Sequence, residues 1–302
     1  MIELTILGTS SMCPTKDRNV QSISLVYKGE VILVDCGEGT QRQMSIAKIP
    51  KSKVKKILIS HWHGDHVSGL IGLFQTAFNQ NYEGTLKIYG PKGTKERINY
   101  MLKTVVFESE LDLEVIELNP KKGEVITFYD NEDYYLQCGL LEHGTTCLGY
   151  SFIEKKKYKI LMAKAKLVGL KEGPQLGKIQ KGEAIKINNK LVKPEDVAKI
   201  IPEKKVTIIS DTEAVPEINL LSKNADLLIS ESTFTSELKE RARKTKHMTA
   251  AQIAQIAQES NVQRLVLTHF SQRYKTTEDL LADASIHFKT VEAAFDFIKI
   301  KV

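Results

Sequence analysis

Three of the chain's seven histidines and a carboxylate fall within six residues, in the run Ile59-Ser60-His61-Trp62-His63-Gly64-Asp65-His66. Imidazole suits first-row transition metals, and a carboxylate adds a hard oxygen that can bridge two ions or hold a water. The preceding apolar run, residues 54–59, is broken by Lys55 and Lys56 and reads as a buried strand. His61 and His63 lie two apart just past its end, so in extended backbone they face the same side. Gly64 permits a sharp turn, and Asp65 and His66 open the helical pattern Val67, Leu70, Ile71, Leu73, Phe74. Four ligands therefore converge where a strand meets a helix. The order differs from the helical H-E-x-x-H of metalloproteases, and adjacent imidazoles on a loop rarely arise for packing alone.

The elements that must position further ligands follow one pattern: the candidate stands just past an apolar strand. His61 does so, as do His143 after residues 134–141, Asp211 after 206–210 and His269 after 265–267. In an α/β sheet, ligands gather at one edge beyond the strand ends. Six of the seven histidines occupy these places or stand beside them; His287, in the final amphipathic helix, reads as structural. The expected ligand set is His61, His63, Asp65, His66, His143, Asp211 and His269. Five imidazoles and two carboxylates suit hydrolysis at a di-metal centre, where two ions lower the pKa of a shared water and stabilise entering and leaving oxygens. The leaving group then needs a proton. Glu231, past the strand at 227–229, and His247, just before a helix that Thr249 can cap, supply a carboxylate and an imidazole outside the ligand set.

A chain of 302 residues, 42% hydrophobic, can bury a sizeable core as one large domain or two small ones. No apolar run approaches about 18 residues. The start, Met1-Ile2-Glu3-Leu4-Thr5-Ile6-Leu7-Gly8, enters a strand pattern without a basic leader, so a cytoplasmic protein with no membrane partner is expected. Cys13, Cys36, Cys138 and Cys147 form no C-x-x-C pair and read as reduced thiols, Cys147 packing in the core or behind the site. The net charge of +6 favours polyanionic partners. Lysines concentrate at Lys51, Lys53, Lys55 and Lys56, and again from Lys155, Lys156, Lys157 and Lys159 through Lys193.

Along the chain, residues 1–8 read as a strand, and 20–27 with 31–34 as a hairpin about Lys28-Gly29-Glu30. Asp35-Cys36-Gly37-Glu38-Gly39-Thr40 is a strand-to-helix turn of the kind that caps a helix or holds an anion. Strands at 86–89, 113–118 and 125–128, a helix at 94–102, later helices at 218–221, 237–244 and 278–288, and a terminal strand at 297–302 complete the pattern. Strands dominate first, with helices between some of them, which suits a layered α/β sandwich better than a purely alternating parallel sheet. Residues 155–199 are Lys-rich and nearly free of aromatics, with Gly169, Gly173-Pro174, Gly177 and Gly182. They read as an insertion with little core of its own and a short helix at 163–168.

The H-x-H-x-D-H order resembles the metallo-β-lactamase superfamily, whose members carry one or two metals at the edge of an αββα sandwich. Over nearly its whole length the chain is similar to the ribonuclease Z family, the tRNA 3′-processing endoribonucleases. The resemblance is carried by Pro14-Thr15-Lys16-Asp17-Arg18-Asn19, the Asp35 to Gln43 turn, Ser60 to His66, Gly149-Tyr150, Ser210-Asp211-Thr212, Glu231-Ser232-Thr233-Phe234, His247-Met248-Thr249-Ala250 and Leu267-Thr268-His269-Phe270-Ser271-Gln272-Arg273-Tyr274. It implies a sandwich built from residues 1–154 and 200–302, interrupted by a basic arm at 155–199. It implies two zinc ions per subunit, with Mn2+ or Fe2+ as alternatives. His61, His63 and His143 would hold one, Asp65, His66 and His269 the other, and Asp211 would bridge. Asp65 would act as general base, and Glu231 with His247 would deliver a proton to the departing 3′ oxygen of precursor tRNA. Lys16, Arg18, Arg273, Gly173 and Pro174 are the expected substrate contacts, the arm gripping tRNA across a homodimer. Ser210, Ser232 and Met248 depart from the family's usual Gly, Ala and Ser, and the arm is richer in Lys and poorer in Gly-Pro than many. These changes leave the ligands intact. Two other readings remain open on the sequence: a hydrolase of small thioesters or sulfate esters, and a non-catalytic RNA-binding scaffold, although an unused imidazole cluster is costly to hold together.

Overall fold

The computed structural model describes residues 1–79, 82, 84–107, 112–187 and 189–302. Alternating apolar residues such as Ile2, Leu4 and Ile6 put one face of a strand into a dry interior. Two seven-stranded sheets meet there. The first runs Lys299–Lys301, Ile2–Gly8, Ser22–Tyr27, Glu30–Val34, Val54–Leu58, Leu86–Pro91, Leu113–Leu118, turning from antiparallel to parallel at Glu30–Val34. The second runs Val291–Ala293, Leu265–Thr268, Leu227–Glu231, Lys204–Ile209, Thr146–Glu154, Tyr134–Glu142, Val125–Asp130, with its first four strands parallel. Ile23 and Leu25 of the first sheet share a core with Leu136, Phe152, Val206 and Leu227 of the second.

Helices cover both outer faces. Met44, Phe74 and Ile98 pack on Leu33, Ile57 and Ile88 outside the first sheet. Ile218, Ile253 and Leu280 pack on Ile209, Leu228 and Leu265 outside the second. The result is a four-layer αββα sandwich. Thr249 caps the helix Ala250–Glu259 as expected, its hydroxyl accepting from the Gln252 amide while the Gln252 side chain accepts from the Thr249 amide.

Several expectations need correction. Thr146–Glu154 and Val291–Ala293 are strands that the sequence reading passed over. The first is buried along nearly its whole length between Lys204–Ile209 and Tyr134–Glu142, so it has no polar face to give an alternating pattern. The last helix stops at Ser285 and the terminal strand is only Lys299–Lys301. The insertion also has a core of its own. Lys157–Ile160 pairs with Ala198–Ile201, Ile185–Ile187 pairs with Lys190–Val192, and the helices Met162–Leu167, Pro174–Gln180 and Pro194–Val197 close around Tyr158, Ala165, Ile179, Ile185 and Val197. Its core residues are scattered among lysines over some forty positions, which hides their convergence in one dimension. Among the described residues all four cysteines are free, and no helix is long and apolar enough to cross a membrane.

Candidate metal centre

The strand ends build one rim. His61 and His63 follow Val54–Leu58, and the short helix Gly64–Val67 carries Asp65 and His66. From the other sheet come His143 after Tyr134–Glu142, Asp211 after Lys204–Ile209, Glu231 as the last residue of its strand, and His269 after Leu265–Thr268. The last three strands are parallel neighbours, so their carboxyl ends share an edge. His269 takes a positive φ of 59°, a conformation a non-glycine residue holds only when its surroundings impose it. The next residue is tied in place, the Phe270 amide donating to Thr9 and its carbonyl accepting from Ser11.

All seven expected ligands come together, in two groups that share one carboxylate. His61, His63, His143 and Asp211 form one and Asp65, His66, Asp211 and His269 the other, with ligand atoms in each group within 4.8 Å of one another. The two oxygens of Asp211 divide between them. Oδ2 lies 3.9 Å from His61 Nε2 and 3.8 Å from His143 Nε2, and Oδ1 lies 3.4 Å from His66 Nε2 and 3.2 Å from His269 Nε2. Asp65 Oδ2 stands 3.4 Å from His66 Nε2 and 3.6 Å from His269 Nε2.

Hydrogen bonds behind the rings decide which nitrogen faces inward. His66 Nδ1 donates to Asp35 at 2.8 Å, His143 Nδ1 to the Lys246 carbonyl at 2.8 Å, and His61 Nδ1 lies 3.0 Å from the Ser60 hydroxyl. The carboxylate and the carbonyl only accept, and the Ser60 hydroxyl gives its own proton to Asp35, so each ring keeps a proton on Nδ1 and leaves Nε2 as a lone pair aimed at the centre. His63 is turned the other way, its Nδ1 3.0 Å from His61 Nε2 and 3.3 Å from His143 Nε2. Asp35 was missed as a site residue. Its carboxylate is fully buried at a positive φ of 59° and also accepts the Ser60 amide at 2.7 Å and the Ser60 hydroxyl at 2.8 Å. It stands just past the strand Glu30–Val34, so the rule that pointed to the candidate ligands applied to it as well.

The electrostatics favour cations between these groups. Burial, aided by the nearby His66, pushes the His61 imidazole down to about 2, so it is neutral. Burial would raise Asp211, but His269 and His66 hold it well below the usual carboxylate range. Burial would likewise raise Asp65, but the neighbouring His269 and His66 pull it well below that range. Two ionised carboxylates held this close call for positive charge between them. Cys147 packs behind the centre, its sulfur 3.9 Å from His61 Nδ1, and burial raises its thiol far above the ordinary value. Beside the centre, His247 Nδ1 donates to Glu231 at 2.9 Å. Burial would lower this imidazole, but Glu231 outweighs it and lifts it to about 9.

An open cleft of about 480 Å³ exposes the centre, lined by Met12, His63, Asp65, Arg241, His247 and Arg273 among others. Arg273 therefore reaches the site. Arg241, on the helix Lys239–Thr245, also reaches it and was missed, being one of several basic residues in a densely charged stretch. Arg18 is turned away to the Tyr274 carbonyl at 2.9 Å and lies over the Phe270 ring, where it braces the loop after His269. Lys16 is exposed outside the cleft lining, and Gly173 and Pro174 sit on the arm at the start of Pro174–Gln180.

The sequence model of a family described as Anti-Pycsar protein Apyc1 matches residues 2–128. Over the full chain, the ribonuclease Z of Methanothermobacter thermautotrophicus is 39% identical across 304 residues, covering 100% of this chain and 97% of that protein. The ribonuclease Z of Thermococcus onnurineus is 41% identical over 288 residues, covering 94% and 89%. Among solved structures, the short form of human tRNase Z superposes with a TM-score of 0.74 at 26% identity over 99% of each chain. The metallo-β-lactamase fold protein YhfI of Bacillus subtilis gives 0.69 at 19% identity, covering 99% and 98%, which speaks to the fold alone. Fold and His/Asp rim together define a protein of the metallo-β-lactamase fold. Within that class, full-length identity at this level places it further: the chain belongs to the ribonuclease Z family.

Proposed function

We propose that the chain is a zinc-dependent endoribonuclease that removes the 3′ trailer from precursor tRNA. The observation that carries the reading is Asp211, whose two oxygens serve two ligand groups on the floor of an open cleft beside a Glu231–His247 pair. The residues fit a pair of divalent cations. His66 Nε2 and His269 Nε2 are buried without a hydrogen-bond partner, and a buried polar atom left so is costly unless a ligand completes it. His61, His63, His143 and Asp211 would hold one ion and Asp65, His66, Asp211 and His269 the other. Zinc suits this donor set, and Mn2+ and Fe2+ are the alternatives the same ligands accept.

Bound cations would supply Lewis acidity, polarising the phosphodiester and offsetting the charge that develops on it. The chain's own groups do the rest. Asp65, held by the Met12 amide at 2.8 Å, takes the proton of the attacking water. His247, its Nδ1 engaged by Glu231, delivers a proton from Nε2 to the departing 3′ oxygen. The phosphate stays on the trailer and the tRNA ends in a 3′ hydroxyl. Arg241 and Arg273 face the cleft as cations for the flanking phosphates. The arm at 155–199, between sandwich segments 1–154 and 200–302, is the tRNA-gripping element, with Gly173 and Pro174 exposed on it and Lys16 as a further contact. A cytoplasmic homodimer completes the reading.

The zinc-loaded chain incubated with an end-labelled precursor tRNA is expected to release a trailer with a 5′ phosphate. Asp65→Ala is expected to cut about 10²–10⁴-fold more slowly while still binding the RNA. Cleavage at the same rate by this variant would remove the proposed general base, and absence of cleavage by the parent would remove the reading.

A further inference from the structure

We infer that Thr233 is a positioning residue whose single hydroxyl proton ties the Glu231–His247 pair to the metal centre through His269. The inference rests on the roles just proposed for those three residues. Thr233 is 2% exposed and follows the strand end that carries Glu231. Its Oγ1 lies 2.7 Å from Glu231 Oε2, 3.1 Å from His269 Nδ1, 3.1 Å from the His269 carbonyl and 3.2 Å from His247 Nδ1. A hydroxyl has one proton to give, and an ionised carboxylate only accepts. The shortest and charged contact takes that proton, so Thr233 donates to Glu231.

Its lone pairs then accept, and the donor beside them is the Nδ1–H of His269. The corresponding proton of His247 has a closer acceptor in Glu231 Oε1, at 2.9 Å. His269 is therefore held with its proton on Nδ1, leaving Nε2 as a lone pair between Asp65 and Asp211 with no other partner. Glu231 is wholly buried and saturated. Its Oε1 also accepts the Thr212 and Met248 amides at 3.0 and 3.1 Å, and its Oε2 the Thr233 amide at 3.0 Å. One carboxylate thus pins two imidazoles, His247 directly and His269 through a hydroxyl.

Valine keeps the branched shape of threonine and removes the hydroxyl, whereas serine keeps the hydroxyl. The test is calorimetric titration of the purified full-length chain with zinc against a competing chelator, for the parent, Thr233→Val and Thr233→Ser, with kcat and KM measured on precursor tRNA. Thr233→Val is expected to weaken one of two bound ions by about 10–100-fold. It should lower kcat while leaving KM for tRNA in place, and Thr233→Ser should restore both. Thr233→Ala serves the same comparison if the valine variant fails to fold. Parent-like affinity for both ions in the variant lacking the hydroxyl, or a serine variant as impaired as the valine one, overturns the role of Thr233 alone. A parent chain that binds no ion overturns this inference together with the proposed function.

Discussion

Asp35 and Asp211 show why a side chain's chemistry is easier to read from sequence than its reach. Asp211 and the candidate ligand histidines announce themselves by type and by standing past a strand end. Asp35 stands in the same relation to Glu30–Val34 but is separated from His66 by 31 residues, and only the fold shows that the two touch. Asp35→Asn keeps the size and exchanges an acceptor oxygen for a donor that faces the His66 Nδ1–H. It is expected to weaken metal binding by about 10–100-fold in a chelator competition, and parent-like affinity would reduce Asp35 to a packing residue. At His247 the sign of the pH effect follows from its neighbour. Raised to about 9 by Glu231 against the effect of burial, the imidazole keeps its proton at neutral pH and loses it as pH rises through that value. Cleavage that uses this proton should fall along the same alkaline limb. Glu231→Gln removes the charge that raises the imidazole, so the limb should move to lower pH; a pH–rate profile with an unmoved limb would assign the proton to another group.

Among the elements, continuously apolar strands such as Leu227–Glu231 and Leu265–Thr268 were legible although wholly buried, and strands interrupted by small or polar residues were not. Residues 113–118 were bounded correctly at both ends, whereas Thr146–Glu154, in the middle of its sheet, offered no alternation and carries Gly149 and Ser151 inside it. Residues 155–199 were read as an insertion because the composition changes there, and the core they fold around was not legible. Glu154 and Lys204 are paired across neighbouring strands, so the arm leaves and re-enters the sandwich at one place. It can be excised there and closed by a short Gly/Asn turn. The segment 155–199 carries thirteen lysines against four acidic residues, so removing it turns a chain of net charge +6 into a net negative one. Excision is expected to raise KM for precursor tRNA at least about tenfold and to flatten the salt dependence of RNA binding, since each lost phosphate contact removes roughly 0.9 from the log–log slope. Hydrolysis of a small chromogenic phosphodiester, which needs only the sandwich, should persist. Equal loss with both substrates would mean that the arm supports the fold rather than the RNA.

At the scale of the molecule, the centre joins the two halves of the sandwich. His61, His63, Asp65 and His66 follow the first sheet, and His143, Asp211 and His269 follow the second. Cations held by both sets would link the sheets across their common edge, whereas without them ionised carboxylates and unpartnered imidazole nitrogens face one another in a buried place. A ligand that binds only the folded state stabilises it by mass action, about 2.7 kcal/mol for each site held at a free concentration one hundred times its Kd. Adding a chelator to the zinc-loaded chain is therefore expected to lower its Tm by several degrees, and returning zinc should restore it. Asp211 contributes an oxygen to each group, so Asp211→Ala should abolish most of the zinc-dependent shift, whereas His63→Ala removes a ligand from one group and should leave part of it. Scanning calorimetry of the three chains with and without chelator checks the order, and a parent Tm indifferent to zinc would show that the rim holds no ion tightly enough to join the sheets.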